Sequence, residues 1–166
     1  GGLILPGRAL PALLADCEGC VVFALTLGEA PEGLIRRAAV ADKTRALLLD
    51  ACASAACEQS CNDLQAMLAG QFQREGLFVT DRYSPGYGDL ALTLQPRLLS
   101  LLDAERKIGL TLTDSFLMTP RKSVTALFGL SAHPQVRHAF GCQSCSRKET
   151  CSYRKAGISC KSRSGS

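Results

Sequence analysis

Hydrophobic and polar positions change rhythm several times along the chain, and each change marks an element. Residues 20–28, CVVFALTLG, are a continuous apolar run closed by glycine, which predicts a buried strand. Leu10–Ala15 ahead of it predicts a short helix. Asp42 is placed to cap a long helix running to about Leu68. The middle of that helix, DACASAACEQSC, is built from Ala, Cys and Ser, and small side chains let another element approach closely. Asp50, Ser54, Glu58, Asn62 and Gln65 recur at spacings of four or three and form one polar stripe. Periodicity alone favours a solvated face for the stripe; the alternative is that Glu58 points into a ligand pocket. LFVTDRY predicts a second strand, and Pro96 opens another helix through about Lys107, with Gly109 to end it. Residues 110–118 and 123–130 alternate and are rich in Thr and large apolar residues, predicting a β-hairpin around Pro120-Arg121-Lys122. The order lacks repeated βαβ units. It predicts an α+β fold, with a mainly antiparallel sheet packed against a long helix and shorter helices. After Pro134 the pattern gives way to an irregular Cys-rich tail, so the expected division is residues 1–136 and 137–166.

Composition changes this picture in three ways. The chain has 166 residues, 46% of them hydrophobic and 20% charged, enough for one globular core. Trp is absent, so that core rests on Leu, Ala and Val. No apolar run reaches the roughly 20 residues that span a bilayer, and Pro6, Pro11 and Asp16 break up the first residues, so neither a membrane span nor a signal peptide is expected. The chain does not begin with Met, as expected of a fragment. The net charge of +4 hides a split: from Arg137 onward seven Lys or Arg face the single acid Glu149, a balance of +6, while the body holds 12 bases against 14 acids. Nucleic acid is the generic partner of such a tail, but few aromatics and four cysteines lie among its bases, which puts metal ligation first. Nine cysteines is an odd number, and five sit in core-like segments, which predicts reduced thiols and a cytoplasmic setting.

Two motifs carry candidate chemistry. Cys142-x2-Cys145-x5-Cys151-x8-Cys160 sets four thiols among polar and basic residues, the donor set of a [4Fe–4S] cluster or, alternatively, of zinc. Zinc sites usually show two short knuckles; here only one pair is close, which leans toward the cluster. Cys17, Cys20, Cys52, Cys57 and Cys61 read as core residues, and His133 and His138 as turn and surface residues. The second motif is RYSPGYGDL, residues 82–90. Pro85-Gly86 suits the centre of a type II turn. Arg82 can hold a carboxylate in a two-pronged contact, and Tyr83 or Tyr87 can cover a flat ring or a cation. These parts suit a small zwitterion bearing an aromatic base. No strand–GxGxxG–helix segment is present, so such a ligand is not bound in Rossmann fashion.

RYSPGYGDL, followed by IGLTLTDSFLMTPRKSVTALFGLSAHP, resembles the activation domain of vitamin B12-dependent methionine synthase, in its stand-alone form. The family's Arg-x-x-x-Gly-Tyr element matches Arg82, Gly86 and Tyr87, and its Thr-(Asp/Glu)-Ser-Phe-x-Met-x-Pro element matches Thr113 to Pro120. VVFALTLG and TRALLLDACASAACEQSC are similar to the family's first strand and long helix, so the resemblance spans roughly residues 10–135. It implies a groove for S-adenosylmethionine contacted by Arg82, Ser84, Gly86 and Tyr87, with Glu58 close by, which makes the polar stripe a pocket wall. It also implies a cobalamin-binding methionine synthase, or a related corrinoid protein, as partner and carrier of the cobalamin. The role implied is a component of methyltransferase activity that reductively remethylates oxidised cobalamin, with no catalytic acid or base of its own. Where fused enzymes carry tyrosines after the His-Pro, this chain has QVRHAF. The Cys ladder resembles C-terminal cysteines of some stand-alone members, and a cluster there would carry the electron.

Overall fold

A computed structural model of the chain describes residues 7–135 and 149–155. The chain divides after Gln135 into two units. In the first, the elements run α1 (Ala9–Leu14), β1 (Gly19–Thr26), α2 (Ala30–Ala41), α3 (Lys43–Arg74) and β2 (Phe78–Val79). A 3₁₀ turn (Leu92–Leu94), α4 (Gln95–Leu102), α5 (Ala104–Ile108), β3 (Thr111–Leu112), β4 (Met118–Thr119) and β5 (Ser123–Ser131) follow. In the second unit a short helix, α6 (Ser152–Lys155), follows Cys151.

The main sheet is antiparallel with order β1-β5-β2, so the last strand lies in the middle. Phe23 faces Ala126 in the β1–β5 ladder, and Phe78 faces Ser131 in the β2–β5 ladder. A central strand buries both faces, and SVTALFGLS is buried or half-buried throughout. Its even positions turn to α3, where Phe23, Cys61, Ala126 and Phe128 form one core with Leu64, Leu68 and Phe72 around it. Leu127 turns the other way and packs with Leu10, Tyr83, Leu90, Leu94 and Leu98. The sheet is thus a middle layer between α3 and the α1–α4 side. Buried Thr125 donates a hydrogen bond to the buried Gln95 side chain and fixes α4 to β5.

The α+β class and the antiparallel sheet stand as the hydrophobic pattern predicts, while several details differ. Asp42 does cap α3, accepting from the Arg45 N–H at 3.0 Å, which contributes about 1 kcal/mol. The helix continues to Arg74, past the predicted end at Leu68, because Leu68 and Phe72 still pack on the sheet. Helix α2 was not predicted; Pro31 in its first turn and Glu32 were its start signals. The predicted helix over 96–107 breaks at Asp103, which adopts left-handed φ +53. The predicted hairpin between 110–118 and 123–130 is corrected. The small hairpin is β3–β4, turning through Thr113–Leu117, and β5 pairs with β1 and β2 instead. Thr113 makes that turn: it bonds Leu117 through both its N–H and its hydroxyl, so the chain reverses before Pro120 rather than after it. The second strand is shorter than LFVTDRY, with an isolated bridge from Tyr83 to Leu127 beyond it.

Candidate functional site

The polar stripe of α3 meets two cations from the sheet layer, while Ser54, Glu58 and Asn62 stay exposed. Arg82 leaves the edge of the sheet and lies along α3. Its guanidinium contacts Glu58 at 3.0 Å, Asn62 at 3.3 Å and Gln65 at 3.4 Å. Gln65 in turn donates to the Thr80 carbonyl at 3.1 Å and so ties α3 to the segment carrying Arg82. One and two turns earlier on the helix, Lys122 reaches Asp50 and Ser54, each at 2.8 Å. The Lys122 ammonium bonded to Asp50 holds that carboxyl below its usual range. Two cations therefore rest on one helical rail. The Arg82 side chain is 16% exposed while Glu58 is 58% exposed, so the guanidinium is sunk and its counter-ion lies at the rim. A guanidinium has five N–H donors, and these contacts use three of them. The Nε–H and one terminal N–H take no part in these contacts.

The turn after Arg82 forms as its sequence predicts. The Tyr87 N–H donates to the Ser84 carbonyl at 3.2 Å across Pro85-Gly86, and Gly86 has φ +91, the type II signature. A side chain at Gly86 would also press on Leu92, 3.1 Å from the added carbon. A second turn follows, Leu90 N–H to Tyr87 carbonyl at 3.0 Å, and the Gly86 N–H closes on the Leu90 carbonyl at 2.7 Å. These main-chain donors are spent inside the loop. Outward the loop offers the Tyr87 ring, 57% exposed.

Two anchors hold the loop. Tyr83 is buried and exchanges both main-chain hydrogen bonds with Leu127. Burial raises the pKa of its hydroxyl and the nearby Asp89 carboxylate adds to this, while a hydrogen bond with the Asp89 backbone opposes them. Gly88 lies directly under that hydroxyl, leaving no room for a side chain. At the far end, Asp89 accepts from the Arg8 N–H at 2.5 Å and the Ala9 N–H at 3.2 Å, fastening the loop to the start of α1. The Arg8 contact is the main reason its carboxyl titrates below the usual range.

Arg82, Glu58, Ser84, Gly86 and Tyr87 are therefore neighbours at one junction of sheet edge, turn and α3. Asn62, Gln65, Asp89 and Lys122 belong to the same framework. The stripe's spacing pointed to the two on α3, and no sequence signal marked the other two. Cys57 and Cys61 are core residues as expected; burial raises both thiol pKa values, that of Cys61 to about 11. Cys52 and Cys20 are exposed, against expectation, and Cys17 is half-buried. Position 52 falls on the outward side of α3, and the β1 edge leaves Cys20 uncovered. Of the tail ladder only Cys151, half-buried, is described; Cys142, Cys145 and Cys160 lie outside the described residues, as does His138. Among the described residues no group of three or more His, Cys, Asp or Glu is placed to hold a metal. Nor is any helix among them long and apolar enough to cross a membrane. A surface hollow beside Pro96, Ser100, Asp103 and Thr111 includes none of the expected site residues.

Comparison with known proteins bears on the fold and the family. The crystal structure of the MetH reactivation domain bound to AdoHcy shares the fold, with a TM-score of 0.60 and 21% identity. The match covers 86% of this chain and 48% of that one, so the chain spans about half of its neighbour's length. No curated protein sequence is a significant match. Residues 22–157 match the family described as "Vitamin B12 dependent methionine synthase, activation domain". With both expected motifs inside that span and the fold in agreement, the chain belongs to the vitamin B12-dependent methionine synthase activation domain family.

Proposed function

We propose that this chain binds S-adenosylmethionine at the Arg82 junction and supports reductive remethylation of cobalamin carried by a B12-dependent methionine synthase or a related corrinoid protein. The observation that carries the reading is the half-engaged guanidinium. Glu58, Asn62 and Gln65 hold Arg82 from one side, and a pair of its donors is left for a ligand carboxylate. Glu58 at the rim supplies a negative charge for the ligand's ammonium or sulfonium, and the exposed Tyr87 ring offers a face for adenine. Ser84 and Gly86 shape the turn between them. The solved neighbour's bound AdoHcy is the demethylated form of the same ligand, which supports this choice. Oxidised cob(II)alamin on the partner would return to methylcobalamin by taking one electron from a separate one-electron donor and the methyl group of S-adenosylmethionine, with AdoHcy as the product left behind. The chain's own task in that step is to hold the nucleoside so that its methyl faces the corrinoid. Because the reduced corrinoid is itself the nucleophile, no acid or base is required of these residues.

The tail thiols Cys142, Cys145, Cys151 and Cys160 complete the proposal as the donor set of a [4Fe–4S] cluster, with zinc as the alternative. A cluster there would supply a one-electron couple near the corrinoid; zinc would be structural. A cytoplasmic location accords with the need for reduced thiols.

Calorimetric titration of the anaerobically purified chain with S-adenosylmethionine and with AdoHcy tests the pocket. Saturable one-site binding of both is expected, and no binding of either refutes the reading. Metal analysis and a visible spectrum of the same sample test the tail. A brown protein containing iron is expected; a colourless one holding zinc removes the electron-transfer role.

A further inference from the structure

On a helix packed against a sheet, outward positions are normally polar. Helix α3 breaks this most densely between Leu47 and Ala56, with Ala66 and Met67 as later exposed apolar positions. Between Leu47 and Cys57 the only polar residues are Asp50 and Ser54, and both turn to Lys122. Positions 47, 48, 51, 52, 55 and 56 are exposed, and each is Leu, Ala or Cys. Leu47 is 70% exposed and Leu48 61%, and Val40 at the end of α2 is 91% exposed. About 13 Å of helix thus presents an apolar face that no described residue covers. Its centre is small, with Ala51, Cys52, Ala55 and Ala56, so a second helix can come close.

Charge decides what fits there. Arg45 precedes the apolar stretch and Asp63 follows it, both on the Cys52 side of the helix, while Glu58 is turned to Arg82. Two α3 helices laid parallel would set like charges together at both ends. Laid antiparallel about Cys52, they set Arg45 of one copy opposite Gln59 of the other. Arg45, on the Cys52 side of the helix, then lies within about one turn of the other copy's Asp63, and the arrangement repeats at the far end. The face is complementary to itself. We propose that it docks a second copy of this chain, as an antiparallel α3–α3 pair with its twofold axis at Cys52.

Sedimentation equilibrium of the full chain tests this. The expected mass is twice 17.6 kDa at roughly 100 µM, falling toward one chain at low micromolar concentration. Glutathione disulfide is expected to join the copies through a Cys52–Cys52 bond, two thiols giving up two protons and two electrons to yield two glutathione molecules. Peptide mapping locates the bond. Leu48→Glu is expected to weaken the dimer at least tenfold while leaving the thermal melt at low micromolar concentration unchanged, since Leu48 is exposed in the single chain. Ala55→Glu, one turn beyond the axis, is expected to act alike. A monomer across the whole concentration range overturns the proposal. So does a dimer that both variants leave intact, or a bond that maps to other cysteines.

Discussion

Replacing Arg82 with alanine removes two contributions of very different size. In the folded chain the guanidinium bonds Glu58 at 3.0 Å, with Asn62 and Gln65 at 3.3 and 3.4 Å. Glu58 is 58% exposed, so solvent screens that ion pair to about 1 kcal/mol at most. The two longer bonds add about 1 kcal/mol together, since exposed Asn62 rehydrates and Gln65 keeps its bond to the Thr80 carbonyl. The stability lost is then about 1–2 kcal/mol, a fall in Tm of about 2–8 °C for a chain of this size. A ligand carboxylate gripped by two charge-assisted bonds is worth about 2–4 kcal/mol, so S-adenosylmethionine binding falls roughly 30- to 1000-fold. Calorimetric titration and a thermal melt on one preparation read the two effects apart. Arg82→Lys restores part of the Tm but leaves binding at least about tenfold weaker, because an ammonium has no fork. Binding within threefold of wild type in Arg82→Ala refutes the placement of the ligand carboxylate. Collapse of the fold refutes the energetic division.

Other outcomes follow from the loop's anchors and from the buried pair behind it. Gly88→Ala, at φ +55 beneath the Tyr83 hydroxyl, is expected to cost about 1–2 kcal/mol from backbone conformation alone and more from the collision; adding Tyr83→Phe recovers the collision part in urea denaturation. Asp89 titrates below its unfolded value, near 3.9, so its contribution is complete above that pH and fades as pH falls through the lower folded value. The stability difference between wild type and Asp89→Asn should therefore hold from neutral pH to about 4 and close below it; a gap that persists in acid contradicts the assignment. Thr125→Val and Gln95→Leu should each cost about 1–3 kcal/mol by orphaning a buried partner, and the double variant less than their sum; strict additivity would show that the two do not meet.

The parts of the fold set by local chemistry were readable from the chain alone. The run CVVFALTLG, the Asp42 cap and the Pro85-Gly86 turn each state their conformation within a few residues. Pairing was less readable. Thr113–Leu117 and Pro120–Lys122 are equally good places to reverse a chain, and only the choice of β5 partners separates them, which is a property of the whole sheet. The stripe on α3 shows the same limit. Its spacing fixes which residues share a face, but the partners of that face, Arg82 and Lys122, arrive from positions far along the chain. Arg82, Gly86 and Tyr87 were identifiable through their motif. Nothing in the sequence marked Asp89 as the group that binds the start of α1.

The segment from Tyr83 to Asp89 is stitched to the central strand at one end and to the first helix at the other, and its amides close on one another between. A visitor to that surface has little left to organise, so the ordering entropy that usually weakens recognition by loops has already been met during folding. Association at this junction should accordingly resemble a key entering a rigid lock, fast and with little change in backbone shape.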